Sequence, residues 1–167
     1  GIASRGLGDV YKRQDMGVSK DGIAKDSWES GMELHAKYTL FSEGARGSLS
    51  KFLIDNFELS KESDHQKYAI GIKELWEVKE ENHQEGLVEH SMGWPLSEGT
   101  GGGSFLYHFG QNLVSIGYVV HLNYTNPYVS PFDEFQQFKT HPSIKKILEG
   151  GKRISYGARA ITAGGFQ

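Results

Sequence analysis

Apolar and polar residues alternate along much of the chain, and apolar residues recur at helical spacing in only a few places. Alternation is typical of a strand that buries one of its faces. It predicts strands at residues 33–41, 67–78, 86–92, 103–109, 112–122 and 153–161. A short turn-forming segment joins the runs at 103–109 and 112–122, which predicts a β-hairpin and an antiparallel sheet.

Helical spacing predicts three short helices, at residues 48–57, 132–138 and 144–148. The first begins at Ser48, a residue type that caps helices, and Pro142 interrupts the pattern between the second and the third. Residues 15–28 are rich in glycine and charged residues and are predicted to form a turn-rich loop, as expected of a hairpin or a linker between strands. Strands and helices that are separated in this way place the chain in the α+β class.

Composition narrows the functional classes. The chain has 167 residues, of which 37% are hydrophobic and 23% charged, as expected of one globular domain with a core. The net charge is −3 without a basic cluster, which argues against nucleic-acid binding. Because there is no cysteine, thiol catalysis and cysteine-ligated clusters are excluded within this chain. No apolar run approaches the ~20 residues that span a bilayer, so any membrane contact is predicted to be peripheral.

Residues 4–14 differ in character from the rest of the chain and follow no periodic pattern. All eleven match the in-frame translation of a transposase adaptor used in sequencing libraries. The alternative is a short basic loop. Because all eleven residues match the adaptor, we treat residues 1–14 as a non-native segment and assign no function to Arg5, Lys12 or Arg13.

Two glycine-containing segments are candidate sites. Residues 99–104 contain four glycines but precede a strand, whereas a phosphate loop precedes a helix. The alternatives there are a flexible turn and a close approach of backbone to a flat ligand. Residues 43–48 lie between a predicted strand and a predicted helix, where an anion could meet backbone N–H groups and Arg46.

Histidine and glutamate residues offer no clear chemistry. The seven histidines show no zinc-binding spacing, so we predict no metal site. No serine lies in a GxSxG motif, and no general acid or base can be assigned. The glutamates at 74, 77, 80 and 81 are predicted to form a solvated face.

Several segments resemble the electron-transfer flavoprotein:ubiquinone oxidoreductase family, in order and with matching spacing from residue 15 onward. They are GMELHAK at 31–37, FSEGARGS at 41–48, YAIGIKELW at 68–76, GWPL at 93–96, GGSFLYH at 102–108, NPYVSPF at 126–132, HP at 141–142, LEGGKRISYGAR at 148–159 and GGFQ at 164–167. In that family an FAD domain of the glutathione-reductase-like kind carries an inserted quinone-binding domain, and an iron–sulfur domain follows.

The resemblance implies a domain arrangement for an internal piece of such a protein. Residues 15–58 would form an edge of the FAD-binding domain, residues 59–153 the ubiquinone-binding domain, and residues 154–167 the return toward the FAD domain. The fold implied is an antiparallel-sheet quinone-binding domain with flanking helices, inserted in a partial FAD-binding domain.

The resemblance also implies site residues. Glu43, Gly44, Arg46 and Gly47 match the motif near FAD, and the pair Gly102 and Gly103 matches the backbone that meets the quinone headgroup. Two positions depart from the family pattern. Gly101 stands where the family usually has tyrosine before the glycine pair, and Ala45 stands where it usually has cysteine.

The implied function is electron transfer from reduced electron-transfer flavoprotein, through FAD and a 4Fe–4S cluster whose ligands lie outside this chain, to ubiquinone. The implied location is the surface of a membrane, on the cytoplasmic face of a bacterial inner membrane or the matrix face of the mitochondrial one. Alternatives are a related FAD-dependent reductase or hydroxylase, of the geranylgeranyl-reductase or aromatic-hydroxylase type, and a binding module without redox function. The chain alone is not expected to catalyse the reaction.

Overall fold

The computed structural model describes residues 9–12 and 15–164. The chain divides into two units, Gly1–Ser42 and Glu43–Gln167. Of the segment predicted to be adaptor-derived, residues 4–8 and 13–14 lie outside the described residues.

The first unit contains two antiparallel strand pairs. Strand β1 (Asp9–Lys12) pairs with β4 (Glu33–Ala36), and β2 (Met16–Val18) pairs with β3 (Ala24–Glu29). Residues 15–28 therefore form a hairpin, one of the two predicted kinds of connection, but its strands β2 and β3 occupy much of the range that was predicted to be loop. Its turn is closed by two bonds, one from Ser19 N–H to the carbonyl of Ile23 and one from Ile23 N–H to the Ser19 hydroxyl. The strand predicted at residues 33–41 is shorter than expected and ends at Ala36.

The second unit is built on one five-stranded antiparallel sheet, with strands in the order β6-β7-β8-β5-β9. The bounds are α1 (Ser48–Asn56), β5 (Lys67–Glu77), β6 (Val88–Met92), β7 (Gly102–Phe109), β8 (Leu113–His121), α2 (Pro131–Phe138), α3 (Pro142–Leu148) and β9 (Lys152–Ala163). A single 3-10 turn at Glu80–Asn82 was not predicted. The α+β class, the antiparallel sheet and the β7–β8 hairpin are confirmed.

The two faces of this sheet differ. On one face, the ring of Tyr118 in β8 lies 5.1 Å from the ring of Phe138 and 6.4 Å from that of Phe135, both in α2. We call this the helix face. It carries the core, formed by Val78, Leu106, Val114, Ile116, Tyr118, Val120, Phe135, Phe138, Ile144 and Leu148. Even-numbered residues of β7 and β8 point to this face because side chains alternate along a strand.

The opposite face, which we call the far face, carries the odd-numbered residues of β5, β7 and β8 and the residues of β9 that pair with them. Examples are Gly71 and Lys73 in β5, Phe105 in β7 and Gly117 in β8. Lys73 is exposed, whereas Gly71 and Phe105 are partly buried. The far face is therefore accessible in part, and it also carries large apolar side chains, of which Val88, Phe109 and Ile161 are exposed.

Helices α2 and α3 both begin at residues that favour a helix start. The hydroxyl of Ser130 accepts the N–H of Asp133 at 3.3 Å and caps α2, and Pro131 occupies the first turn of that helix. Pro142 does not simply interrupt a helical pattern, because it is the first residue of α3. Proline suits this position, since the N–H it lacks would have no partner within the helix.

A buried carboxylate, that of Glu74 in β5, joins three elements. Glu74 is 3% exposed, and its two oxygens accept the ammonium of Lys139 at 3.0 and 2.9 Å. Arg153 in β9 donates at 2.9 Å, and the indole N–H of Trp76 donates at 2.8 Å. The prediction that Glu74 belongs to a solvated face is wrong, because its even-numbered position places it on the helix face. Burial of a charge is tolerated when partners of this kind surround it.

The partners of Glu74 also determine the protonation state of its carboxyl group. Burial alone raises the pKa of the Glu74 carboxyl, but the hydrogen bonds from Lys139, Trp76 and Arg153 outweigh it and leave the pKa below its ordinary value. A carboxyl with a lowered pKa stabilises the fold above its unfolded pKa of about 4.3, and this contribution is lost as the pH falls through the folded pKa.

We expect the Glu74→Gln substitution to lower the free energy of unfolding at pH 7 by about 3 kcal/mol, because the largely buried ammonium of Lys139 and the more exposed Arg153 lose their counter-charge. Urea unfolding followed by circular dichroism measures the change. Glu77→Gln, at an exposed position of the same strand, is the control and should change little. The difference between wild type and Glu74→Gln should shrink as the pH falls below about 4. Equal effects of the two substitutions would contradict the role given to Glu74.

Candidate functional site

An open groove of about 240 Å³ lies at the β6–β7 edge of the sheet, beside α2 and α3. Leu106, Phe138 and Ile144 contribute apolar surface to it, and all three belong to the buried core. The apolar lining of the groove is therefore continuous with the buried core. Grooves with an apolar floor and a few polar groups are the usual form of small-molecule sites.

Two serine hydroxyls form a polar part of this lining. The hydroxyl oxygens of Ser91 in β6 and Ser104 in β7 are 2.6 Å apart. One hydroxyl donates to the other, so the hydrogen of the second remains available to a ligand. Trp94 and His141 also line the groove, with ring centroids 5.2 Å apart in an edge-to-face arrangement. The groove thus offers hydroxyl and aromatic contacts next to an apolar surface.

The loop that carries Trp94 is attached to the core by a buried phenol. The hydroxyl of Tyr118 donates to the carbonyl of Gly93 at 2.9 Å. Burial raises the pKa of Tyr118 to about 12, so the phenol keeps its proton and remains a donor at neutral pH. Leu96, three residues further along the loop, packs against the core. Both contacts help to hold one wall of the groove in position.

The predicted quinone-contacting residues, Gly102 and Gly103, begin strand β7 next to this groove. The carbonyl of Gly102 accepts the N–H of Gly93, and Gly103 lies opposite Met92, which lines the groove. A Cβ at position 102 would collide with the carbonyl of Val119 and with Leu96. A Cβ at position 103 would collide with the carbonyl of Ser91. Packing within the sheet already requires glycine at both positions.

Gly101, the position that departs from the family pattern, is less constrained. A Cβ there would lie 2.7 Å from Nδ1 of His121, which is a side-chain atom and not backbone. A larger residue at position 101 would therefore require His121 to move.

The other predicted group, at residues 43–47, forms the start of α1. The carboxylate of Glu43 accepts the N–H of Ser50 at 2.7 Å and that of Leu49 at 3.3 Å, and it also accepts the Ser50 hydroxyl at 2.8 Å. The hydrogen bond from the Ser50 N–H is the largest cause of the lowered pKa of Glu43. The anion at this helix start is thus the side chain of Glu43 itself, and Ser48 is not the cap.

The glycines of this segment make the arrangement possible. A Cβ at Gly47 would collide with the side chain of Glu43, and Gly44 has a φ of +81°, which favours glycine. Arg46 is exposed and makes no hydrogen bond or ion pair with the residues that the structure describes. No hydrogen bond in the described part of the chain joins this group to Gly102 and Gly103.

His108 has a clear structural role. It is 3% exposed, and its Nδ1 accepts the N–H of Gln84 at 3.1 Å, which leaves the ring proton on Nε2. Burial lowers the pKa of His108, and the ring of His83, centred 5.3 Å away, lowers it further. Within residues 9–12 and 15–164, no group of three histidine, aspartate or glutamate side chains could hold a metal ion.

Comparison with known proteins identifies the family. A family model described as "ETF-QO, ubiquinone-binding" matches residues 68–161, more than half of the chain. The chain belongs to this family. The matched range runs from the second residue of β5 to near the end of β9 and contains the groove and both glycines of β7.

Two relatives that are similar to this chain are named electron transfer flavoprotein-ubiquinone oxidoreductases. An electron transfer flavoprotein-ubiquinone oxidoreductase of mitochondria from Caenorhabditis elegans is 57% identical over 156 residues, which is 92% of this chain and 26% of the relative. A probable electron transfer flavoprotein-ubiquinone oxidoreductase from Acinetobacter baylyi is 57% identical over 153 residues, covering 91% of this chain and 27% of the relative. The chain thus spans about a quarter of the length of these relatives.

The solved structure of the flavin-dependent brominase Bmp2 aligns with 93% of this chain and 38% of its own, at 14% identity and a TM-score of 0.46. Among the described residues of this chain, no helix is long and apolar enough to span a bilayer.

We expect Gly103→Ala to lower the free energy of unfolding by about 2 kcal/mol, because the added methyl group meets the backbone carbonyl of Ser91 and strand β6 must shift. Thermal unfolding measures this loss. Gly157→Ala is the matched control, since a Cβ there meets nothing within 4 Å. If both variants unfold like wild type, close packing does not explain the glycine in β7.

We expect the stability of the chain to fall as the pH drops below about 6.5, the pKa of an unfolded histidine, because folding holds His108 in its neutral form. In His108→Gln this loss between pH 7.5 and 5.5 should be smaller. His65→Gln, at an exposed position, is the control and should keep the wild-type pH dependence. Urea unfolding at both pH values gives the comparison, and an identical pH dependence in all three proteins would contradict it.

Proposed function

We propose that this chain is the quinone-binding part of a longer oxidoreductase, one that passes electrons from reduced electron transfer flavoprotein to ubiquinone. The observation that carries the proposal is the family match over residues 68–161. The names of the two relatives support the same activity. The chain itself would supply the quinone site and would not catalyse alone.

The groove at the β6–β7 edge suits the headgroup of a quinone. Such a headgroup is a flat apolar ring with carbonyl oxygens that only accept hydrogen bonds. The Ser91 and Ser104 pair has one hydroxyl hydrogen left to donate, and the core residues of the groove supply apolar contact. Gly102 and Gly103 border this groove, and we propose that the quinone lies against their part of β7.

We further propose that the complete protein holds FAD near residues 43–47. The Glu43 carboxylate already occupies the N–H groups at the start of α1, so these residues do not form a phosphate site by themselves. Arg46 would be the group free to contact the cofactor. A 4Fe–4S cluster would need ligands from elsewhere, since this chain contains no cysteine.

The proposed domain arrangement places residues 15–58 at an edge of the FAD domain, residues 59–153 in the quinone domain, and residues 154–167 on the return to the FAD domain. Strand β9 crosses the second boundary as one continuous strand. The proposed partners are electron transfer flavoprotein and ubiquinone. We propose a peripheral location at the cytoplasmic face of a bacterial inner membrane or the matrix face of the mitochondrial inner membrane, where ubiquinone is found.

The test uses the longer protein, expressed with the flanking coding sequence restored and residues 1–14 replaced by their native counterpart. Flavin absorbance and quinone reduction by reduced electron transfer flavoprotein are recorded. We expect the protein to show flavin absorbance and to reduce quinone. Flavin without quinone reduction would favour a related reductase or hydroxylase, and absence of flavin would sink the proposal.

Within that protein we expect Ser104→Ala to lower kcat/KM for quinone by roughly three- to tenfold, the effect of losing one hydrogen bond. Ser63→Ala, in an exposed loop, is the matched control. Steady-state rates at several quinone concentrations separate kcat from KM. Unchanged kinetics in Ser104→Ala would place the quinone elsewhere.

A further inference from the structure

Two glycines and two cations form a square on the far face of the sheet. In the β5–β9 pair, Gly71 lies opposite Arg159, and Lys73 lies opposite Gly157. Residues directly opposite each other in an antiparallel pair point to the same face, as do residues two apart along one strand. The glycines therefore occupy one diagonal of the square and the cations occupy the other.

Neither glycine of this square is explained by the fold. A Cβ at Gly157 would meet nothing within 4 Å, and one at Gly71 would meet no atom closer than 3.8 Å. Neither residue has a positive φ. Glycine weakens a strand interior and often marks a place where a ligand or another backbone comes close.

Other glycines in the same sheet do have a local reason. A Cβ at Gly117, on the far face of β8, would collide with the ring of Phe105. The ring of Phe105 thus lies over Gly117, which is the neighbour of Lys73 in the register of β5 and β8. The square is accordingly bordered on one side by an aromatic ring.

The two cations have no counter-charge among the residues that the structure describes. Lys73 and Arg159 are exposed, and neither makes a hydrogen bond or ion pair with the part of the chain that the structure describes. By contrast Arg153, in the same strand as Arg159, pairs with Glu74. Two unpaired cations on either side of bare backbone attract an anion that is flat enough to lie between them.

We propose that Gly71, Lys73, Gly157 and Arg159 form a binding site for a planar anionic ligand, a flat ring system that carries a negative charge. The ring lies on the backbone at the two glycines, and the charge is held by the lysine and the arginine. This site lies on the opposite face of the sheet from the groove at β6–β7. The inference does not rest on the proposed quinone function.

The test uses the full 167-residue chain and three probes of similar size. Naphthalenesulfonate is flat and anionic, naphthalenesulfonamide is flat and neutral, and decahydronaphthalenesulfonate is anionic with puckered rings. Titrations followed by calorimetry and by amide chemical shifts give the dissociation constants and the location. Naphthalenesulfonate should bind roughly tenfold more tightly than either of the other two, and the largest shifts should occur in β5 and β9.

Variants test each part of the site separately. Gly157→Val places a side chain where the ring would lie, and valine favours strands, so the fold should be retained. Ala158→Val places the same side chain on the opposite side of β9 and is its control. Lys73→Gln and Arg159→Gln each remove one charge, with Lys152→Gln at the start of β9 as their control. Circular dichroism and thermal unfolding of every variant establish that it is folded.

We expect Gly157→Val, Lys73→Gln and Arg159→Gln each to weaken naphthalenesulfonate binding by roughly tenfold or more, and both controls to bind like wild type. Equal binding of the sulfonate and the sulfonamide would overturn the charge requirement. Equal effects of Gly157→Val and Ala158→Val would overturn the position of the ring. Failure of the folded wild-type chain to bind naphthalenesulfonate would overturn the proposal as a whole.

Discussion

The fold of the larger unit depends on one buried negative charge. Glu74 lies in β5, and its partners come from the same strand, from the residue that ends α2, and from β9. A carboxylate removed from water is costly unless such donors surround it. The position of α2 over the sheet and the pairing of β9 are therefore linked through a single side chain. Displacement of either element would leave a charge without its partner.

Close packing along the sheet shapes the candidate quinone site. Gly102 and Gly103 allow β7 to approach β6, the β8 backbone and Leu96, and the groove is open at this edge. The glycines therefore serve the fold first, and any contact with a ligand uses a backbone that packing has already positioned. Substitutions at these two positions report on stability and on binding together, whereas Ser104 offers a change that leaves the backbone intact.

The sequence predicted the strands of the sheet, their antiparallel arrangement and the β7–β8 hairpin, but not how the more distant strands pair. Alternation located β5 to β9 to within a few residues, because each strand buries one face. It did not predict that β9 lies beside β5, or that Glu74 is buried, since its partners Lys139 and Arg153 are 65 and 79 residues away. The Glu43 cap was also missed, because local pattern favoured Ser48. The resemblance to a family located the pair Gly102 and Gly103. Their close packing could not be predicted from the sequence, because it depends on how β7 lies against its neighbouring strands.

The order of the strands has a consequence for synthesis of the chain. Strand β5 is the first of the sheet to be made and β9 the last, yet the two are neighbours. While a ribosome is still producing the intervening strands and helices, the edge of β5 has no partner and Glu74 lacks Arg153. Pairing between distant segments is slow, and an unpaired edge can associate with other chains. A nascent chain that stalls before Lys152 would therefore present a ready template for aggregation.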